Sequence, residues 1–129
     1  MATNPLGIIA AMSAFLGIWL GHVAVRKIEF ASPTIWFPTL IFATLGILLE
    51  YFSLIAESRL SQTALGIIGV TLLWDALEFT RQQRRVRKGR APANPSNPRH
   101  ARLLADPAAN ATTVDLLKRD PSGARIPSD

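Results

Sequence analysis

The chain has no cysteine. That excludes a disulfide framework, thiolate-bound zinc and iron–sulfur clusters, and leaves the redox compartment open. Its two histidines, His22 and His100, lie far apart in sequence, so a histidine-based metal cage within one chain is not expected. GxSxG, HExxH, P-loop and dinucleotide fingerprints are all missing. The neighbouring carboxylates Asp75 and Glu78 are flanked by neither a nucleophile nor metal ligands. No enzymatic activity, cofactor or metal is therefore expected. No aromatic residue follows position 80, and only three of the fourteen Lys and Arg residues precede it. An ordinary soluble globule would intermix these classes.

What is present is apolar, and it is segregated. The 129 residues are 49% hydrophobic, carry a net charge of +5 and have a mean hydropathy of +0.23. They make at most one small domain. Three long apolar runs lie before residue 80: Leu6–Val25, Ile35–Ala56 and Leu60–Phe79. Each reaches the roughly 20 residues a helix needs to cross a hydrocarbon core. The first run has no polar stripe, which a soluble amphipathic helix would show. The expected fold is an all-α membrane protein of three transmembrane helices, with spans at about 6–25, 35–56 and 60–79. A signal peptide does not explain the first run, because its leader lacks Lys and Arg and its apolar stretch is too long for an h-region.

Basic residues set the expected threading. The leader has none, the first loop has Arg26 and Lys27, the second loop has Arg59, and Arg81–Arg90 has six. Every local count favours the N-terminus outside and the C-terminus in the cytoplasm of a cell inner membrane. Phe30, Trp36, Phe37 and Trp74 then fall at the cytoplasmic interface, and Tyr51 and Phe52 near the outer one. The third helix is expected to run beyond the membrane to about residue 88, ending at Gly89. These elements form a transmembrane domain, residues 1–90. The Pro-rich remainder, 91–129, is expected to be a disordered cytoplasmic tail, because Leu103, Leu104, Leu116 and Leu117 are too few to build a core. A transient helix over Thr112–Arg119 is possible there.

Few polar residues interrupt the spans, and each has two readings. Ser13, Gly17 and Gly21 recur four apart in the first span, as a packing seam either within the chain or between copies of it. Gly66 and Gly69, with Ala43 and Gly46, are candidate intrachain partners. His22 and Asp75 share a depth near the cytoplasmic end. They can form a proton relay or ligand site, but their closeness to the headgroups favours an interfacial pair that clips two helices together. Glu50 lies about a turn and a half inside the outer end. It can pair with Arg59, face Gln62 and Thr63, or act as an ion or proton site. A charge buried in lipid costs about 2.5–3.5 kcal/mol on insertion scales. Asp75, Glu78, Gln82 and Arg85 form one stripe, suited to docking the helical extension against the first loop. Arg81, Arg84, Arg85, Arg87, Lys88 and Arg90 form a topology signal and a contact for anionic phospholipid headgroups of the bilayer. No aromatic is interleaved, so nucleic acid is not expected as a partner.

Two motifs resemble a small uncharacterised bacterial family of three-span integral membrane proteins, known only as a domain of unknown function. The first is Gly21-His22, Val25, Lys27, Glu29-Phe30 and Trp36. The second is Leu73-Trp74, Glu78, Gln82, Arg85-Val86, Lys88-Gly89, Pro92 and Asn94-Pro95. Arg81 and Arg90 depart from the acidic and aromatic residues that the family pattern has there. The resemblance covers roughly Leu6–Pro95, and it implies that Lys88–Pro95 is a specific turn able to fold back on the first loop. It supplies no substrate or active residue. The expected role is a structural or accessory subunit of a larger membrane complex, with a homo-oligomer possible. The alternative is a small oligomeric transporter or proton conductor using Glu50, His22 and Asp75. The threading is checked directly: a cysteine placed in Glu57–Arg59 should react with an impermeant maleimide on intact cells, and one in the tail should not. The opposite labelling pattern refutes it.

Overall fold

The computed structural model describes residues 3–118. It is all-helical among those residues: α1 spans Leu6–Ala31, α2 Trp36–Ile55, α3 Arg59–Arg87 and α4 Pro98–Ala105, followed by a single 3-10 turn at Leu116–Lys118. The first three helices are long and apolar enough to cross a membrane. At 1.5 Å per residue, α2 is about 30 Å long and matches a hydrocarbon core, whereas α1 and α3 reach about 39 and 44 Å. The chain runs up, down and up, so both overhangs project from the same end.

The overhang of α1 differs from the expected loop. Arg26–Ala31 continues the helix, because RKIEFA contains neither proline nor glycine. Ser32 stops it, since the residue before Pro33 is pushed out of the helical region and adopts extended geometry (φ −73°, ψ 129°). The Ser58 side chain accepts from the Leu60 N–H and opens α3. Gly89 closes that helix at φ 69°. The Gly89 N–H donates to Val86 O at 3.0 Å and the Arg90 N–H to Arg85 O at 2.8 Å, the paired bonds of a Schellman end. A Cβ at Gly89 would meet the Asn110 carbonyl.

Helix α3 lies between α1 and α2 and packs against both, while α1 and α2 barely touch each other. Small residues make the close approaches. Gly17 faces Thr71 and Gly21 faces the Asp75 carboxylate, with Ser13 buried on the same side of α1. The seam Ser13, Gly17 and Gly21 is thus filled by the chain's own α3 and is not free for a second copy. On the other side, Gly46 faces Leu73 and the Gly69 carbonyl, and Phe42 meets Phe79 edge to face at 5.1 Å. Trp19, Leu20 and Leu54 point outward, as lipid-facing residues do.

The expected disorder of the tail does not hold for residues 91–118. Leu103 and Leu104 pack with Val86, Ala91 and Ala93 in a small core. The few leucines suffice because the overhang of α3 supplies the other wall. The return segment is sewn down by Ala93 N–H to Thr112 O at 2.8 Å and Asn110 N–H to Arg87 O at 2.9 Å. Of the segment read as a transient helix, residues 112–118 are described, and only Leu116–Lys118 is helical, as the 3-10 turn. Residues 119–129 lie outside them.

The packing predicts unequal glycines. Gly46→Val should lower stability to denaturation in detergent by about 1–3 kcal/mol through overpacking against Leu73 and the Gly69 carbonyl. Gly7→Ala, where nothing lies within 4 Å, should be neutral or slightly stabilising. Equal effects at the two positions would contradict the close approach of α2 and α3.

Candidate functional site

An α-helix leaves its last four carbonyls without intrahelical partners. For α1 these lie just past the apolar span, and no basic residue stands in its last turn. A segment some 65 residues later satisfies three of them, those of Glu29, Phe30 and the capping Ser32. Arg99 Nη2 donates to Glu29 O at 2.6 Å and to Ser32 O at 3.3 Å. Asn97 Nδ2 donates to Phe30 O at 3.0 Å and Ser32 O at 2.9 Å. Asn94 Nδ2 adds a bond to Phe30 O at 3.2 Å. The guanidinium also places positive charge at the negative end of the helix dipole.

Both asparagines have a local reason to be in place. Each side-chain oxygen accepts a backbone N–H two residues on, Ser96 for Asn94 and Arg99 for Asn97. Each precedes a proline, which holds it in extended geometry. Asn97 is the N-cap of α4, with Pro98 in the first turn, where its missing N–H costs nothing. That cap aims Arg99 and His100 back at α1.

Glu29 is the anchor. It is 1% exposed, and its Oε1 takes Arg99 Nη1 at 2.8 Å and lies 3.0 Å from His100 Nε2. His100 is fully buried, and its Nδ1 accepts the Asn94 N–H at 2.9 Å. An accepting Nδ1 puts the ring proton on Nε2, which therefore donates to Glu29. The ring also meets Phe30 edge-on at 6.2 Å. Arg99 Nε is the one buried side-chain polar atom left without a partner among the described residues.

The residues singled out from the sequence are distributed differently. His22 and Asp75 line one small cleft with Ile18, Val70, Thr71 and Trp74, but no hydrogen bond joins them, because Asp75 is turned against Gly21. Glu50 does not pair with Arg59. Its carboxylate lies over Gly69 and Gly66, while Gln62 Nε2 bonds Ala56 O at 2.8 Å and Ser53 Oγ bonds Gln62 O at 2.9 Å. Glu78 takes Arg81 at 2.7 Å and Arg85 at 3.6 Å, both on its own helix, and not Arg26 or Lys27. Arg81 also covers the Trp74 ring at 4.6 Å. Arg87 reaches Asp106 at 3.9 Å. No group of three His, Asp or Glu side chains that could hold a metal is found among the described residues.

Sequence reasoning missed Asn97, Arg99 and His100 as structural residues. The signal was there: two Asn-Pro steps three residues apart, followed by Arg-His, in a chain with a lone acid in its first loop. The turn that folds back on the first loop, by contrast, is present through Asn94.

Fold and site together define an all-α protein with three membrane-crossing helices and an ordered cap over one end. The chain matches the family described as Domain of unknown function (DUF4491) over residues 4–97, and it belongs to that family. The matched region includes Glu29, Asn94 and Asn97 and stops just before Arg99 and His100. No curated protein and no solved structure matches the chain.

Removing the anchor should release the cap. Glu29→Gln leaves Arg99 buried without its counter-charge, a loss of about 3–5 kcal/mol for a broken buried pair. In detergent, trypsin should then cut rapidly at Arg90, Arg99 and Arg102 while the spans stay helical. Cleavage as slow as in the parent protein would show that Glu29 does not hold the cap.

Proposed function

We propose that this protein is a non-enzymatic structural or accessory subunit of a membrane assembly. One observation carries the reading: the buried charged and polar groups of the cap are bonded to one another and to the end of α1. Glu29, Arg99, His100 and Asn97 are consumed in fixing the ends of α1 and α4. Such a network gives a fixed shape and offers no group for chemistry. The positive-inside pattern supports N-out, C-in threading in an inner membrane. The cap adds Arg99 and Arg102 to the side that already holds Arg26, Lys27 and Arg81–Arg90. With the small-residue seam filled by α3, assembly uses the outward faces of α1 and α2.

A second reading rests on Glu50. Its carboxylate lies within an apolar span, against Gly66 and Gly69, with no ion pair or side-chain hydrogen bond among the described residues. An intramembrane carboxylate of that kind marks an ion or proton path by default, here in a small oligomer with His22 and Asp75 nearer the cap. One preparation separates the two readings. Purified in mild detergent from its native membrane, the protein should carry a stoichiometric partner, which the Glu29→Gln variant loses or holds more weakly. A bare homo-oligomer, whose proteoliposome ion flux falls in Glu50→Gln, would overturn the subunit reading in favour of the second. A lone monomer with no flux would overturn both.

A further inference from the structure

A cleft of roughly 500 Å³ opens between the last turns of α1, the overhang of α3 and the turn after Gly89. Its walls carry Arg26, Lys27 and Phe30 from α1, Gln82 and Arg85 from α3, and Arg90 from the turn. We propose that this cleft binds a phosphate-bearing anion at the depth of the lipid headgroups, held by Arg26, Lys27, Arg85 and Arg90.

The argument starts from charge. Four cations from segments distant in sequence face one space, and like charges so gathered repel unless an anion lies among them. Arg26, Lys27 and Arg90 have no ion pair among the described residues, and only Arg85 is engaged, by Glu78 and Gln82. Two carboxylates also line the cleft. Glu29 has its charge balanced by Arg99, and Asp115 is the other carboxylate on the wall, one charge beside four cations. Of the six basic residues in Arg81–Arg90, only Arg85 and Arg90 line this space, so the grouping is not a general consequence of a basic helix end.

Depth is the second element. Arg26 directly follows the apolar run of α1, and Gln82 stands three residues past Phe79. Trp36 and Trp74, both outward-facing, mark the same end of the bundle, where indole rings settle at headgroup level. A basic pocket between helices at that level suits a phosphate group, and arginine forks match its oxygens. Phe30 and Pro92 give the cleft an apolar flank for the glycerol and first methylenes of a lipid, while a free phosphate would use the cations alone. The inference goes beyond the subunit reading and does not depend on it: a chain that purifies without partners would still bind.

The test uses the full chain in neutral detergent micelles, titrated calorimetrically with three probes. These are dioctanoyl phosphatidylglycerol, inorganic phosphate, and dioctanoylglycerol, which lacks the phosphate. Saturable binding of the phospholipid well above that of phosphate identifies a lipid headgroup as the source; equal binding identifies the phosphate group alone. Arg26→Gln, Lys27→Gln and Arg90→Gln should each weaken binding about fivefold, the contribution of one cation near the membrane surface. These side chains are exposed, so the variants should fold, and trypsin resistance of the cap confirms it. Arg102→Gln and Lys118→Gln remove the same charge outside the cleft and should leave affinity unchanged. The proposal is overturned by no saturable binding of either phosphate probe, by equal binding of dioctanoylglycerol, or by equal loss in the two outside variants.

Discussion

The structure depends on how the C-terminal end of α1 is satisfied. A helix that overruns the hydrocarbon by about a turn and a half ends with bare carbonyls at the membrane surface and a carboxylate, Glu29, turned inward. Neither is tolerable in a buried setting without partners. Asn94, Asn97, Arg99 and His100 supply them, and in doing so convert a Pro-rich stretch into an ordered cap. The charged pair is held at several points, Arg99 Nε alone being left without a partner among the described residues: the guanidinium bonds side chain and backbone of the same residue, and the imidazole takes the carboxylate on one ring nitrogen and a backbone N–H on the other.

The rest of the molecule arranges itself so that this contact can form. Close packing of Gly46 with Gly69, and of Gly17 with Thr71, fixes α3 between its neighbours. That brings the overhangs of α1 and α3 side by side. The Schellman end at Gly89 turns the chain sharply, and the small core of Val86, Ala91, Ala93, Leu103 and Leu104 holds α4 at the height of Glu29. The basic cleft is a by-product of the same geometry, since its cations come from the two overhangs and the turn that joins α3 to the cap.

The polar residues divide by depth. At the cap end they meet partners: Glu78 with Arg81 and Arg85, Arg87 with Asp106. Within the spans the carboxylates of Asp75 and Glu50 press against glycines of neighbouring helices. There the absence of a Cβ leaves room for a carboxylate but provides no donor for it. That contrast explains why the seam of small residues on α1 serves the interior of this chain: its groove is already occupied by Thr71 and Asp75.

The three spans, their approximate limits and the glycine that ends α3 were legible in the sequence. Apolar run length and helix-ending chemistry are local properties, and lipid allows a spanning segment few alternatives to a helix. Family membership was legible for the same reason, in short motifs around Glu29-Phe30 and Asn94-Pro95. The cap was not. Composition made residues 91–118 look unable to bury a core, because part of what they bury against lies on α1 and α3, at Glu29, Phe30 and Val86. Likewise no spacing rule joins Glu29 to Arg99 and His100, or Arg26 to Arg90. Those pairings exist only once two glycine-lined interfaces have set the helices in register, and that is a property of packing in three dimensions that no local pattern encodes.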